Sequence, residues 1–252
     1  MSVNLAPASA GFPRFSSERG FARDPSARAG ASSQPTLTQV FTAIDADSCP
    51  TSYNFHIHTT KSDGQLDPIA VIQQAIAIGL RGLAITDHHT TEGYRAAQDW
   101  LDRWKIDHPE RRADTPTLWT GIEINAGLLK TDVHILGYGF DTNSPCLRPY
   151  LRRQVARGRE YDAKAVISAI QAAGGIAVLA HPARYRRPAA ELIPEADRLG
   201  IDGVEVYYSY RHTKPWRPTP NVTEQIQALA KTHDLLQTCG TDTHGTDISL
   251  RL

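Results

Sequence analysis

Six histidines and three carboxylates have the residue types and spacing to gather metal: His56, His58, Asp63, His88, Glu123, His134, His181, Asp242 and His244. Imidazoles and carboxylates with no thiolate suit hard or borderline divalent ions, which serve hydrolysis rather than thiolate-bound structural sites. In His56-Ile57-His58 the period-two alternation of an extended chain puts both rings on one side, so one strand can grip one ion. Asp63, in Lys61-Ser62-Asp63-Gly64, reads either as a turn-capping carboxylate or as a ligand folded back over the strand end. His88 follows the apolar run Leu83-Ala84-Ile85, and its neighbour Asp87 is placed to fix its tautomer. Glu123 lies inside the apolar stretch Gly121-Ile122-Glu123-Ile124, where a lone carboxylate is costly without a cation. His134 interrupts another apolar run, His181-Pro182 closes a third, and Asp242-Thr243-His244 repeats a D-x-H pattern after a fourth.

The elements that must hold these groups alternate. Apolar runs over 53–57, 82–86, 118–124, 133–137, 176–180, 203–207 and 236–241 read as strands, several of them rich in Ile, Val and Leu as buried strands are. Between them, Asp67-Pro68 is a helix start and Gly79 a stop, with Ile69, Ile72, Ala75 and Ile76 as the apolar stripe. Further helices are expected over 91–106, with Trp100, Leu101 and Trp104 facing inward, over 145–173 as one long element, and over 223–232. This alternation predicts an α/β domain, either a parallel barrel or a doubly wound sheet, with the ligands collected at one end of the strands.

The bulk composition narrows the function. With 252 residues, 27 basic against 27 acidic side chains and no apolar run near the ~20 residues of a membrane span, the chain has no global field to draw in duplex nucleic acid and no membrane segment. Cys49, Cys146 and Cys239 are isolated and odd in number, which argues for a reducing cytoplasm and against a disulfide framework. Residues 1–48, rich in Ala, Ser, Pro and Arg, read as a disordered or weakly ordered tail with a short helix near 37–44, and residues 49–252 as one catalytic domain.

Taken in order, FHIHTTKSDG, AITDHHT, GIEIN, HILGYG, AHPARY, GVEVYYS and GTDTHG resemble the PHP (polymerase and histidinol phosphatase) superfamily of metal-dependent phosphoesterases, above all its stand-alone nucleotide phosphoesterases. The resemblance implies a distorted (β/α)7 barrel and a trinuclear centre of Mn, Fe or Zn, two to three ions per chain. It implies one ion on His56, His58, Glu123 and Asp242, a second bridged by Glu123 to His134 and His181, and a third on Asp63, His88 and His244. One departure is His89, where many members have Asp. Only eight residues follow His244, so a closing helix is short or missing.

The chemistry implied is hydrolysis. A bound metal lowers the pKa of water to about 7, and the hydroxide attacks phosphorus in line. Glu123, His181, Asp242 and Arg184 are the expected catalytic groups. Between residues 148 and 187, eight arginines and Lys164 face only Glu160 and Asp162 in a chain of zero net charge, which points to an anionic substrate. Arg184, three residues after His181, has the planar fork that suits phosphate. Arg152 and Arg159 are expected on one face of the long helix. Tyr185, with Tyr207 and Tyr208, can flank a base or sugar, and His212 can serve the leaving group. The substrate expected is a small phosphorylated one, a nucleotide or short oligonucleotide, as in a 3′,5′-nucleoside bisphosphate phosphatase or a 5′-3′ exonuclease. Two alternatives stand beside it: a histidinol-phosphate-type phosphatase, and a non-catalytic metal- or nucleotide-binding module.

Overall fold

The computed structural model describes residues 35–252, which form one compact unit from Pro35 to Leu252. Its first element, helix α1 (Leu37–Ala43), starts with a capping box in which Thr36 accepts from the Gln39 amide and the Gln39 side chain accepts from the Thr36 amide. The helix buries Leu37, Val40 and Phe41, with Phe41 edge-on to Phe55 and Tyr138. Burial of such side chains stabilises by about 1.5–3 kcal/mol each. The folded unit therefore begins before residue 49, because residues 37–44 carry enough apolar surface to dock. The rest of the expected tail, residues 1–34, lies outside the described residues.

The remaining elements largely alternate strand with helix. Strand β1 (Tyr53–Asn54) is followed by α2 (Pro68–Ile78), β2 (Gly82–Ala84), α3 (Glu92–Asp107) and β3 (Thr117–Trp119). Then come β4 (Gly121–Leu128), β5 (Thr131–Tyr138), α4 (Ala163–Ala172), β6 (Ile176–Leu179), α5 (Ala189–Arg198), β7 (Gly203–Tyr207), α6 (Pro220–Thr232) and β8 (Leu236–Cys239). Asp67 caps α2 through the Ile69 amide, and Gly79 ends it in the left-handed conformation at φ 82°. No helix of the described residues is long and apolar enough to cross a membrane.

The strands form two sheets. One is parallel, in the order β1-β2-β3; the other is mixed, in the order β4-β5-β6-β7-β8. An all-parallel arrangement is contradicted at β5, which pairs antiparallel with both β4 and β6. The cause is a two-residue hairpin: Leu129 and Lys130 both take positive φ, at 49° and 60°, and reverse the chain at once. The run over 118–124 is two strands, β3 and β4, interrupted at Thr120.

The long helix over 145–173 is also corrected. Only Ala163–Ala172 is α-helical; short 3-10 turns occupy Pro145–Tyr150 and Gly158–Tyr161, with irregular chain between. Pro149 and the left-handed Arg153 and Gly158 prevent a continuous helix, so Arg152 and Arg159 do not share a helical face. Helix α5 was not among the expected helices; it carries Pro194 within its length.

Backbone pairing at two seams joins the sheets. At one, Ile57 bridges Thr243, while His58 N donates to Thr243 O at 3.0 Å and Asp242 N to His56 O at 2.8 Å. At the other, His88 bridges Glu123, and His89 N donates to Glu123 O at 3.1 Å. Gly240 permits the first seam: a Cβ there would meet the His56 Cβ at 2.2 Å.

Candidate metal centre

The expected ligands converge because they flank those seams. The continuation of β1 brings His56 and His58 beside Asp242 from the continuation of β8, and the continuation of β2 brings His88 beside Glu123 of β4. Asp242 and His181 hold positive φ, at 53° and 26°, sparsely populated conformations that tertiary contacts must enforce.

Glu123 is the hub. Its side chain is 1% exposed; Oε2 lies 3.1 Å from His56 Nε2, 3.0 Å from His58 Nε2 and 3.5 Å from His88 Nε2. Its other oxygen, Oε1, lies 2.8 Å from His134 Nδ1 and 3.3 Å from His181 Nε2. Asp242 Oδ1 faces His56 and His58 at 3.4 Å and His244 Nδ1 at 3.5 Å. Asp63, on the loop after β1, reaches His58 Nδ1 at 3.3 Å, His244 Nε2 at 3.3 Å and His88 Nε2 at 3.8 Å. Three groups of donor atoms lie within 4.8 Å of one another: His56, His58, Glu123 and Asp242; His58, Asp63, His88 and His244; and His88, Glu123 and His134. His181 is in none of these groups, although it contacts the Glu123 oxygen that His134 contacts.

The donor set fits divalent ions. Both ring nitrogens of His58, and Nδ1 of His88 and His181, are buried without a hydrogen-bond partner. For His58 this holds although carboxylate oxygens lie about 3 Å away. Buried polar nitrogens without a hydrogen-bond partner are costly, and for His58, whose two nitrogens face Asp63 and Glu123, a cation shared with those carboxylates would offset the cost.

Protonation follows from the crowding. Burial works against a charge on His56, yet Glu205, Glu123 and Asp242 hold its pKa up at about 10. His58 is raised in the same contest between burial and the surrounding carboxylates, as is His134 against Glu123. Burial alone would lift the carboxyls of Glu123 and Asp242, but the imidazoles, His56 first, hold both well below the usual range. Burial lowers His88 to about 4.

A second layer fixes these groups. Glu205, fully buried on β7, accepts from His56 Nδ1 at 2.9 Å and from the His181 amide at 2.8 Å. It was not among the expected site residues, although its place inside Gly203-Val204-Glu205-Val206 matches the pattern that singled out Glu123. Asp87 does not touch the His88 ring; it accepts from Thr59 N, Thr59 Oγ1 and Ser62 Oγ and so braces the loop that carries Asp63. The Asn125 amide sits between His89 Nε2 and His134 Nε2 at 3.0 and 3.2 Å.

Around the cluster, Asp242 Oδ2 accepts from Tyr208 Oη at 2.7 Å, Arg184 Nη1 at 2.8 Å and Arg251 Nε at 3.0 Å. Arg251 follows the last motif and nothing in the spacing marks it. Tyr185 uses its hydroxyl on the backbone, accepting from His134 N and donating to Ala180 O, with its ring beside His181. His212 is exposed, and its pKa is lowered by partial burial and by Arg251 and Arg184. Arg152 is exposed on the irregular segment; its neighbour Arg153 lines the mouth of the cluster and pairs with Glu92. That mouth, about 460 Å3, is bounded by Lys61, Asp63, His88, His134 and Arg153.

No family model matches the chain. A 5′-3′ exoribonuclease of Salmonella typhimurium is 25% identical over 260 residues, covering 76% of this chain and 85% of the relative. A 3′,5′-nucleoside bisphosphate phosphatase of Chromobacterium violaceum is 33% identical over 121 residues, 48% of this chain and 39% of the relative. Among solved structures, a metal-dependent phosphoesterase of Bifidobacterium adolescentis superposes with a TM-score of 0.61 at 24% identity, over 78% of this chain and 89% of that one. A two-domain protein of Bacteroides vulgatus with a PHP-like phosphoesterase region gives a TM-score of 0.50 at 17% identity, over 78% and 52%. These two likenesses establish the fold.

Proposed function

We propose that the chain is a member of the PHP superfamily of metal-dependent phosphoesterases and hydrolyses nucleotides or short oligonucleotides at a centre of two to three divalent ions. The observation that carries this reading is Glu123: one buried carboxylate turns its two oxygens to two different sets of imidazoles. A carboxylate so placed suits a bridge between ions. We assign His56, His58, Glu123 and Asp242 to one ion, Glu123 with His134 and His181 to a second, and Asp63, His88 and His244 to a third. The rich imidazole content suits Mn, Fe or Zn. We read the two seams as the places where a distorted (β/α)7 barrel closes on its ligands.

Divalent ions bound at these groups supply positive charge to phosphoryl oxygens and lower the pKa of water toward neutrality. The chain's own residues do the rest. Glu205 holds the His56 ring so that Nε2 faces Glu123. Tyr208, Arg184 and Arg251 hold Asp242 by Oδ2 and leave Oδ1 to the histidines. Arg184, whose side chain is 37% exposed, keeps further N–H groups for a phosphoryl oxygen. The buried free thiols of Cys49 and Cys239 accord with a reducing cytoplasm.

Metal-reconstituted protein should be screened against nucleoside 3′,5′-bisphosphates, 5′-phosphorylated oligonucleotides, cyclic nucleotides and histidinol phosphate. Turnover of the first two classes is expected. Turnover of histidinol phosphate alone would transfer the assignment to that phosphatase class, and two to three bound ions with no turnover of any phosphate ester would leave a binding module.

A further inference from the structure

The loop over 209–219, between β7 and α6, carries Arg211, His212, Lys214 and Arg217 and no acidic residue. All four are exposed, and none forms an ion pair among the described residues. Among the other surface arginines, Arg111, Arg153, Arg187 and Arg198 pair with Asp114, Glu92, Glu191 and Glu195, while others such as Arg103, Arg148 and Arg157 form no ion pair among the described residues.

The loop is a built element. Its base is closed by Thr219 N donating to Tyr208 O at 3.1 Å and Tyr210 N to Thr219 Oγ1 at 2.9 Å. Its interior is pinned by Thr213, whose Oγ1 accepts from Arg217 N, and by Trp216, which is 4% exposed. Tyr210 accepts from the Ala183 amide and so ties the loop to the segment carrying Arg184. His212 lies in the field of Arg184, Arg251 and Asp242. Through Tyr210 and His212 the loop thus lies beside the two arginines that grip Asp242.

Unneutralised cations on a braced loop beside a phosphoesterase centre suit the repeated charges of a nucleic-acid backbone. We propose that loop 209–219, with Arg184 and Arg251 at its inner end, is a track for the phosphates of a single-stranded oligonucleotide whose reacting phosphate lies at the metal centre. This deepens the phosphoesterase reading and rests on it for the direction of the track. The contact is with charge and not with base edges, so little sequence preference is expected.

The test compares the full chain with Arg211→Ser/Lys214→Ser/Arg217→Ser, reading fluorescence anisotropy of a labelled, 5′-phosphorylated single-stranded hexanucleotide between low and moderate salt. With a slope of about 0.7 per neutralised phosphate on single strands, the variant's log–log salt slope should be shallower by roughly 2. In turnover, the ratio of kcat/KM for the hexanucleotide to that for p-nitrophenyl phosphate should fall about tenfold in the variant. An unchanged slope and ratio would overturn the track. Equal binding of poly-glutamate would also overturn it, by making the loop a general polyanion surface. Hexanucleotide binding by this loop with no phosphate-ester turnover by metal-loaded wild type would instead sink the phosphoesterase reading and leave the track standing.

Discussion

The inner and outer halves of the ligand cluster are built differently. Side chains of His56, His58, Glu123 and Asp242 are 0–1% exposed, lie in a strand or on strand continuations and are held by further groups, among them Glu205, Tyr208 and Arg251. Asp63, His88 and His244 are more open, Asp63 at 54%, and Asp63 stands on a loop braced by Asp87. The contrast teaches that the inner group is pre-organised by the fold, whereas the outer group depends on a short loop. The inner ion is therefore expected to bind more tightly and exchange more slowly, since a site held by its surroundings loses less freedom on binding.

The largest effect should come from Glu123→Gln. It removes the carboxylate shared by both sets of histidines, so turnover should fall by on the order of 10^2-fold or more, and at least two metal equivalents should be lost by elemental analysis. Loss of a single equivalent would mean that Glu123 does not bridge. Next is Asp63→Asn, which should remove one equivalent and spare the inner ion; loss of every equivalent would erase the distinction between the halves. Glu205→Gln, which leaves all nine candidate ligands in place, should weaken metal binding by roughly 10–100-fold through the freed His56 ring. Unchanged affinity in titration calorimetry would make Glu205 a packing residue.

The smallest effect is in protons. His56 is held up at about 10 in the metal-free protein, so its ring carries a proton at pH 7 that a metal must displace; the surrounding carboxylates shift His58 and His134 in the same direction. Calorimetry in buffers of different ionisation enthalpy should show net proton release; uptake would contradict it. Metal-free stability should follow the same groups. The contribution of His56, raised above its unfolded value, is complete below about pH 6.5 and is lost as pH rises through about 10. His88, lowered to about 4 by burial, acts oppositely: its contribution holds above about pH 6.5 and is lost as pH falls toward 4.

The sequence carried much of this arrangement, and the gaps have physical causes. The Asp67-Pro68 start and Gly79 stop bound α2, and the run over 203–207 is β7, because local capping and burial decide those elements. Most of the nine candidate ligands were legible as polar residues inside or just after apolar runs, whereas Asp63, on its loop, read equally as a turn-capping carboxylate. The hairpin between β4 and β5 was hidden because Leu129-Lys130 takes positive φ without Gly or Asn to announce it. The broken helix was misread because the composition of 145–173 is helical in character while Arg153 and Gly158 turn left-handed. Glu205 could have been found by the reasoning applied to Glu123. Arg251 could not, since only the returning backbone, with His244 N donating to Arg251 O at 2.7 Å, brings it to Asp242.

Anomalous diffraction from crystals of manganese-reconstituted protein tests the central claim most directly. The account predicts two to three peaks clustered around Glu123, the strongest bounded by His56, His58 and Asp242. Strong peaks confined to the protein surface, with that cluster empty at saturating manganese, would contradict it.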